Sequence, residues 1–380
     1  MGIPEGDYVM ASMIDPIDAR DSAAIRVARV LCIFFMMSAH IPGAYGVSYV
    51  LQGDGAIVGE LWIDILGRAS VAVLSLVSGF LLVGALEKFK PLQIVKDRFR
   101  VLILPMITWN LILLLMVLGA FAVGVHLGLK LPAATPLELA NALTGMFGAS
   151  FNSPLSFLRD LFVASLLLVL FWRPIRRHLM LALVIVLGLS VFELTAPVVL
   201  RPTILLFMLG GCALRVNRIQ LSEMARAKPL FCGILCSGLV FLACHFAGTD
   251  QGPIAALENI AKRVALSFAM IALALAIGRS SHVQAVFDLF EPVAFLAYLS
   301  HTILAKLIWV LMGGVGVDIM GPSYLIYFFT APALVFILCL PMRWIIDFLP
   351  APLPVLVKGK PSRKSWRFVR SRSSQPPFPS

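Results

Sequence analysis

The chain has 380 residues, of which 60% are hydrophobic and only 13% are charged, and its formal net charge is +11. Because average soluble chains carry about 25% charged residues, this composition excludes a soluble globular domain. It predicts an all-α, polytopic membrane protein.

Ten stretches of the sequence are apolar over about 20 residues, the length that a helix needs to cross a bilayer. Ser78-Gly79 in the second stretch suits a close contact between helices. Pro197 and Pro202 crowd the start of the sixth stretch, so the fifth and sixth alternatively form one re-entrant pair. The ten predicted transmembrane helices lie near residues 26–47, 67–86, 100–126, 154–172, 179–196, 200–215, 229–247, 262–279, 291–313 and 323–346.

Lys and Arg are concentrated in alternate loops, on the same side as the N terminus. Loops of this kind are cytoplasmic, so both termini are predicted to be cytoplasmic, and the positive charge reflects orientation rather than a nucleic-acid surface. Three regions follow: a cytoplasmic segment at 1–25, a ten-helix domain at 26–347 and a basic, Pro-rich tail at 348–380. The tail is too rich in proline and charge to fold alone, and we expect it to lie disordered along the anionic inner leaflet.

Two ionisable side chains, Arg29 and His40, interrupt the first apolar stretch. Eleven helical positions turn through about three full turns plus ~20°, so the two side chains share a face and lie ~16 Å apart along the axis. Ionisable groups inside spanning segments are costly and often mark a functional path. The alternative is a hydrogen-bonded core histidine with an interfacial arginine that snorkels.

Four motifs stand in order over roughly the first 170 residues: Arg29-x10-His40, Arg68-Ala-Ser-Val-Ala-Val-Leu-Ser-Leu-Val-Ser78-Gly79-Phe80, Lys96-Asp-Arg98-Phe-Arg100-Val-Leu-Ile-Leu-Pro105 and Ser153-Pro-Leu-Ser-Phe-Leu-Arg159-Asp160-Leu-Phe162. In this order they resemble the acyltransferase-3 family of integral membrane O-acyltransferases. Beyond them, the ten-helix layout and the late Tyr298-Leu-Ser-His301 keep the likeness. The chain departs from the family in having Arg98-x-Arg100 in place of Arg-x-x-Arg, and Ser156 where the family often has tryptophan.

The resemblance implies an enzyme that moves an acyl group, usually acetyl, from cytoplasmic acyl-CoA to a hydroxyl of a cell-surface, exported or lipid-linked glycan. Arg29, Arg98 and Arg100 would bind the phosphates of CoA through forked hydrogen bonds. The ~16 Å from Arg29 to His40 is comparable with the reach of a pantetheine arm. His40 would take the proton from the sugar hydroxyl, with a covalent acyl-imidazole relay as the alternative.

The same resemblance favours acceptor binding or orientation of His40 as the role of Arg68, Arg159 and Asp160, and it favours a substrate-binding role for His301. The alternative for Arg159 and Asp160 is an interfacial ion network, and the alternative for His301 is a buried, hydrogen-bonded histidine. The expected partners are the glycan or lipid-linked sugar, acyl-CoA and membrane lipids, with no nucleic acid and no metal. The expected location is the bacterial inner (plasma) membrane.

Two other classes of protein remain compatible with the sequence. A secondary transporter for a sugar or amphipathic substrate would also use intramembrane His, Arg and Lys, although the sequence shows no internal repeat of the kind that marks many transporters. The second class is a non-catalytic component of a polysaccharide export complex. Only the enzyme should release free CoA thiol when it is given acetyl-CoA and an acceptor.

Overall fold

The computed structural model describes residues 17–41, 61–124, 129–194, 198–248, 251–313 and 322–361. Within these ranges the chain forms helices joined by turns and loops, and it contains no strand. A π-helical stretch leads into each of α2 and α4, and a 3₁₀ turn at Ser153–Leu155 leads into α6. The α-helices are α1 (Ala19–Ser38), α2 (Arg68–Lys88), α3 (Pro91–Arg98), α4 (Leu104–Ala122), α5 (Pro136–Thr144), α6 (Ser156–Leu170), α7 (Trp172–Arg177), α8 (Leu179–Val191), α9 (Pro202–Val216), α10 (Leu221–Met224), α11 (Ala227–Phe246), α12 (Pro253–Ile277), α13 (Ser281–Gly313), α14 (Pro322–Phe348) and α15 (Leu353–Lys358).

Seven helical segments in the described part of the chain are long and apolar enough to cross a membrane. Each of the ten predicted segments overlaps a helix, but three of these helices fall short of that standard. The helices α8 and α9 have only 13 and 15 residues, and α1 carries four charged residues, Arg20, Asp21, Arg26 and Arg29, among its 20 residues. The all-helical membrane architecture is therefore confirmed, whereas the number of ten spans stays a prediction. The seven segments are Leu61–Lys88, Pro91–Ala122, Ser153–Leu170, Ala227–Phe246, Pro253–Ile277, Ser281–Gly313 and Tyr324–Phe348.

The first helix begins at Ala19, seven residues before the predicted boundary, because Asp18 caps it by accepting a hydrogen bond from the backbone N–H of Asp21 at 2.7 Å. It packs along α13, and it also contacts α2 and α12. Two ion pairs join α1 to α13, from Arg26 to Asp288 and from Arg29 to Glu291. The first helix is thus held in register against a helix that lies more than 240 residues later in the sequence.

A close contact between α2 and α9 forms the centre of the helix packing. A Cβ atom added at Gly79 would lie 1.9 Å from the carbonyl oxygen of Met208, and one added at Gly211 would lie 1.9 Å from that of Leu76. Only glycine fits at either position, because real carbon and oxygen atoms do not approach so closely. The predicted close helix contact at Gly79 is confirmed.

The tail differs from its predicted disorder over the residues that the structure describes. Leu353–Lys358 form α15, which packs against α4. The indole N–H of Trp109 donates to the carbonyl oxygen of Val357 at 2.9 Å. Tertiary contacts of this kind stabilise a short helix that its own sequence could not maintain. Residues 362–380 lie outside the described ranges.

Candidate active site

The two predicted site histidines, His40 and His301, lie beside each other. Their ring centroids are 5.7 Å apart and their ring planes are inclined by 46°. His301 is 1% exposed, in the middle of α13, whereas His40 is exposed. The packing of α1 on α13 brings together two residues that are distant in the sequence.

The position of His40 differs in detail from the prediction. The first helix ends at Ser38, and His40 lies in the following turn, where its backbone N–H donates to the carbonyl oxygen of Met37 at 2.9 Å. The helical face predicted to run from Arg29 to His40 therefore extends only to Ser38. The contact with α13, rather than helical periodicity alone, sets where the imidazole of His40 lies.

The hydrogen bonds around His301 determine its tautomer. Its Nδ1 lies 2.5 Å from the backbone carbonyl oxygen of Tyr298, and because a carbonyl can only accept, Nδ1 carries the proton. Its Nε2 lies 3.4 Å from the hydroxyl of Thr302, but that hydroxyl donates its proton to Asn152 Oδ1 at 2.8 Å. The Nε2 lone pair is therefore not satisfied by Thr302, and it can accept a proton or a hydrogen bond from another group.

A polar loop between α5 and α6 is fastened to the same part of α13. The hydroxyl of Tyr298 donates to the carbonyl oxygen of Pro154 at 2.6 Å, next to the bond from Thr302 to Asn152. The backbone N–H of Asn152 in turn donates to Oδ1 of Asn110, in α4, at 2.7 Å. Sequence reasoning assigned no role to Asn110, Asn152 or Thr302. The sequence did contain one signal for this network, the single asparagine Asn110 in the apolar α4, because a buried amide needs hydrogen-bond partners.

Arg159 and Asp160 form a buried pair at the start of α6. Arg159 Nη1 donates to Asp160 Oδ1 at 2.6 Å, and Arg159 Nη2 donates to the carbonyl oxygen of Met146 at 3.1 Å. Asp160 Oδ1 also accepts from the backbone N–H of Leu200 at 3.2 Å. The pair thus ties α6 to the loop and to the segment before α9. The ion pair that the alternative interpretation, an interfacial ion network, requires is therefore present. The predicted acceptor role of Arg159 and Asp160 stays a prediction.

Two polar atoms in this region are buried without a partner among the described residues, Asp160 Oδ2 and Asn152 Nδ2. Such atoms are uncommon in folded proteins and often lie at functional sites. The predicted acceptor residue Arg68 is the exposed first residue of α2, where its charge repels that of Arg263 in α12. It lies near the end of α1, because a Cβ atom added at the preceding Gly67 would lie 3.3 Å from the Cβ of Ala39, the residue before His40.

A cavity of about 550 Å³ lies next to the histidine pair. Tyr298 connects the two, because it lines the cavity while its ring stacks on that of His301 with centroids 5.8 Å apart. The inner wall is apolar and the rim is rich in cations. The apolar wall includes Ile33, Met36, Leu74, Val77, Leu81, Val101, Leu102, Phe157, Leu158, Leu161 and Phe295. The charged rim residues are Arg29, Arg98, Glu291, Arg343, Asp347, Lys358 and Lys360.

Of the three arginines predicted to bind the donor, Arg29 and Arg98 line this cavity and Arg100 does not. Arg29 pairs with Glu291 at 3.4 Å, and Arg98 donates to the hydroxyl of Ser78 at 3.3 Å. Arg100 is exposed, because side chains two positions apart on a helix point about 200° away from each other. The cavity can therefore take an elongated ligand with an anionic head at the rim and an apolar arm directed toward Tyr298.

The arrangement offers little for a metal ion. Within the described ranges, no group of three or more His, Cys, Asp and Glu side chains is placed to hold one. The chemistry that this site can provide is proton transfer by imidazole, together with anion binding by guanidinium and ammonium groups.

Comparison with known proteins bears on what this arrangement does. A family model described as an acyltransferase domain, of the acyltransferase-3 type, matches residues 22–344. The succinoglycan biosynthesis protein ExoH of Rhizobium meliloti (strain 1021) is 27% identical to the chain over 248 residues, which are 61% of this chain and 65% of that protein. The chain thus spans slightly less than two thirds of that relative. No solved structure matches it.

Proposed function

The chain belongs to this family of membrane acyltransferases, and on that premise we propose that it transfers an acyl group from acyl-CoA to a hydroxyl of a polysaccharide or of its lipid-linked precursor. The main support for the acyl-CoA donor is the cavity with a cationic rim, which reaches Tyr298 and, through its ring stacking, His301. The acceptor class is supported by the relative in succinoglycan biosynthesis. Acetyl is the proposed acyl group.

Acyl-CoA suits the cavity in both charge and shape. Its phosphates match the guanidinium groups of Arg29 and Arg98, which form forked, charge-assisted hydrogen bonds. Its pantetheine arm suits the apolar wall that rises from the rim past Met36 toward Tyr298. The thioester would then arrive on the side of Tyr298 that faces the histidine pair.

The proposed chemistry is general-base catalysis by His40. The imidazole takes the proton of the acceptor hydroxyl while the hydroxyl oxygen attacks the thioester carbonyl. Collapse of the tetrahedral intermediate breaks the carbon–sulfur bond, and the CoA thiolate receives the proton from the histidinium. The lone pair on His301 Nε2 can accept a hydrogen bond from protonated His40 and so stabilise its charge. A covalent acyl-histidine relay is the alternative route.

We further propose that the chain crosses the bacterial inner membrane ten times with both termini in the cytoplasm. The donor cavity then opens to the cytoplasm, and the Arg159–Asp160 pair lies toward the outer face with the acceptor. Under this topology the acyl group passes through the protein, and the histidine pair lies where the donor and acceptor paths meet.

The function can be tested on purified protein in proteoliposomes. Free thiol should appear when acetyl-CoA and a glycan acceptor are both supplied, and the glycan should gain the mass of one acetyl group. A protein that releases no thiol above the rate of empty liposomes with any acyl-CoA and any glycan fraction of its host would contradict the proposal. Transport of the glycan without thiol release would favour the transporter class instead.

A further inference from the structure

The segment after α14 folds back over the mouth of the donor cavity. Lys358, Lys360 and Pro361 are part of the cavity lining, together with Arg29 and Arg98 from α1 and α3. Residues from both ends of the sequence thus form one rim. From composition alone this segment belonged to a disordered basic tail, so its place on the rim is a property of the folded molecule.

Three contacts hold the segment there. Trp109 in α4 donates its indole N–H to the carbonyl oxygen of Val357 at 2.9 Å. Lys358 forms an ion pair with Asp347 of α14. Gly359 has a φ of +70°, and a Cβ atom at this position would lie 2.8 Å from the carbonyl oxygen of Val101. Both the backbone conformation and the close approach therefore require glycine, and this left-handed turn directs Lys360 to the rim.

The charges on the rim are only partly compensated. Asp347 pairs with Lys358 and lies 3.9 Å from Arg343, while Glu291 pairs with Arg29. In the described part of the chain, no carboxylate pairs with Lys360, and the partner found for Arg98 is the uncharged hydroxyl of Ser78. The exposed ammonium of Lys360 and the guanidinium of Arg98 therefore leave an excess of positive charge at the mouth of the cavity.

We propose that Lys360, which α15 and the turn at Gly359 hold at the rim, is a phosphate-binding residue of the donor site. The inference rests on the proposed function and extends it, because it makes the C-terminal segment part of the site. An ammonium is a compact point charge with three donors, which suits phosphate oxygens. An anionic lipid headgroup offers the same phosphate chemistry, but Lys360 lines the cavity beside Arg98, and this favours the donor.

The test compares two donors, of which only one carries the phosphates and the adenosine of CoA. Acetyl-CoA and acetyl-pantetheine carry the same thioester and arm, and the second has no nucleotide phosphates. In liposomes of zwitterionic lipid, Lys360→Gln should raise the KM for acetyl-CoA about fivefold, since one lysine near an anionic group contributes about this much. Turnover at saturation and the KM for acetyl-pantetheine should not change. Lys360→Arg should restore the parent KM.

The matched control is Lys90→Gln, which removes an exposed lysine at the start of α3 that does not line the cavity. Its KM should equal that of the parent. Gly359→Ala should reproduce the KM defect of Lys360→Gln, because a side chain at this position displaces the turn.

Three results would overturn this inference without contradicting the proposed function. They are an unchanged KM for acetyl-CoA in Lys360→Gln, an equal rise in the KM for acetyl-pantetheine, and a rise in KM that occurs only with anionic lipid. The last would assign Lys360 to lipid headgroups. A parent protein that releases no thiol from acetyl-CoA would instead overturn the proposed function, and this inference with it.

Discussion

At the scale of single residues, the hydrogen bonds of His301 decide which of its nitrogens is basic. The hydrogen bond from Nδ1 to the carbonyl oxygen of Tyr298 leaves Nε2 unprotonated. The hydroxyl of Thr302 donates to Asn152 and therefore does not donate to Nε2. His40, by contrast, lies in an exposed turn. One imidazole is therefore fixed by hydrogen bonds, and under the proposed function it supports its neighbour, His40, as the base.

Replacing His40 by alanine should reduce turnover about 10²–10⁴-fold, the usual contribution of a general base. The protein should still insert and fold, because His40 lies in a turn beyond the end of α1. Thiol release by purified protein measures the effect, with His282→Ala as the control, since His282 is exposed near the start of α13. A His40→Ala protein within a few-fold of the parent would show that His40 is not the base.

Thr302→Val should lower turnover about 10- to 100-fold, because a small misplacement of reacting groups has effects of this size. The change leaves Asn152 Oδ1 without its donor and removes one of the hydrogen bonds that fasten the loop beside Pro154. It should also destabilise the protein by about 1–3 kcal/mol, the cost of a buried acceptor left unsatisfied. Thr302→Ser keeps the hydroxyl and should recover both activity and stability. Failure of serine to recover activity would refute the positioning role.

At the scale of helices, the contact between α2 and α9 depends on two glycines that face each other's backbone. Gly79 lies against Met208, and Gly211 lies against Leu76. The donor cavity depends on this contact, because Leu74, Val77 and Ser78 of α2 line it. A change in the spacing of α2 and α9 would therefore alter the donor site without any contact to the ligand.

Gly211→Ala should destabilise the protein by about 1–3 kcal/mol or more, as overpacked core positions do. The neighbouring Gly210→Ala is a matched control, since a Cβ atom at Gly210 would meet nothing within 4 Å. Thermal unfolding in detergent should show a lowered midpoint for Gly211→Ala and a parental or slightly raised one for Gly210→Ala, because alanine favours helix. Equal midpoints for the two variants would mean that the close contact does not hold α2 and α9 together.

At the scale of the whole molecule, the proposed topology separates donor and acceptor by the thickness of the membrane. Tyr298 lines the cavity with the cationic rim, and its hydroxyl donates to the carbonyl oxygen of Pro154, in the loop that leads into α6 and its Arg159–Asp160 pair. Transfer then requires the acyl group, rather than either substrate, to cross the protein.

Sealed vesicles of defined orientation can test this sidedness. Acetyl-CoA offered to the Lys- and Arg-rich face, with an impermeant acceptor on the opposite face, should give product, and the reverse arrangement should give none. Permeabilised vesicles provide the control for total activity. Efficient transfer with both substrates confined to the Lys- and Arg-rich face would exclude passage through the protein and leave the acyltransferase function intact.

The sequence by itself determined the class of the molecule and its family. A composition of 60% hydrophobic residues can only be satisfied in a membrane, and apolar runs of about 20 residues fix where helices form. Four ordered motifs carried the family resemblance, which the family model confirms over residues 22–344. These properties depend on local composition and spacing, and they can be read along the chain without knowing how its helices pack.

Only the tertiary structure decided which of these residues meet. It placed His40 beside His301 and hydrogen-bonded Thr302 to Asn152. It also placed Lys360 on the cavity rim with Arg98, whereas Arg100 does not line the cavity. It also ended α1 before His40 and formed a helix at Leu353–Lys358, within a tail that composition had marked as disordered. The reason is physical: periodicity sets the face of a helix, whereas the partner of that face depends on long-range packing, which stabilises segments such as α15 against their own preference.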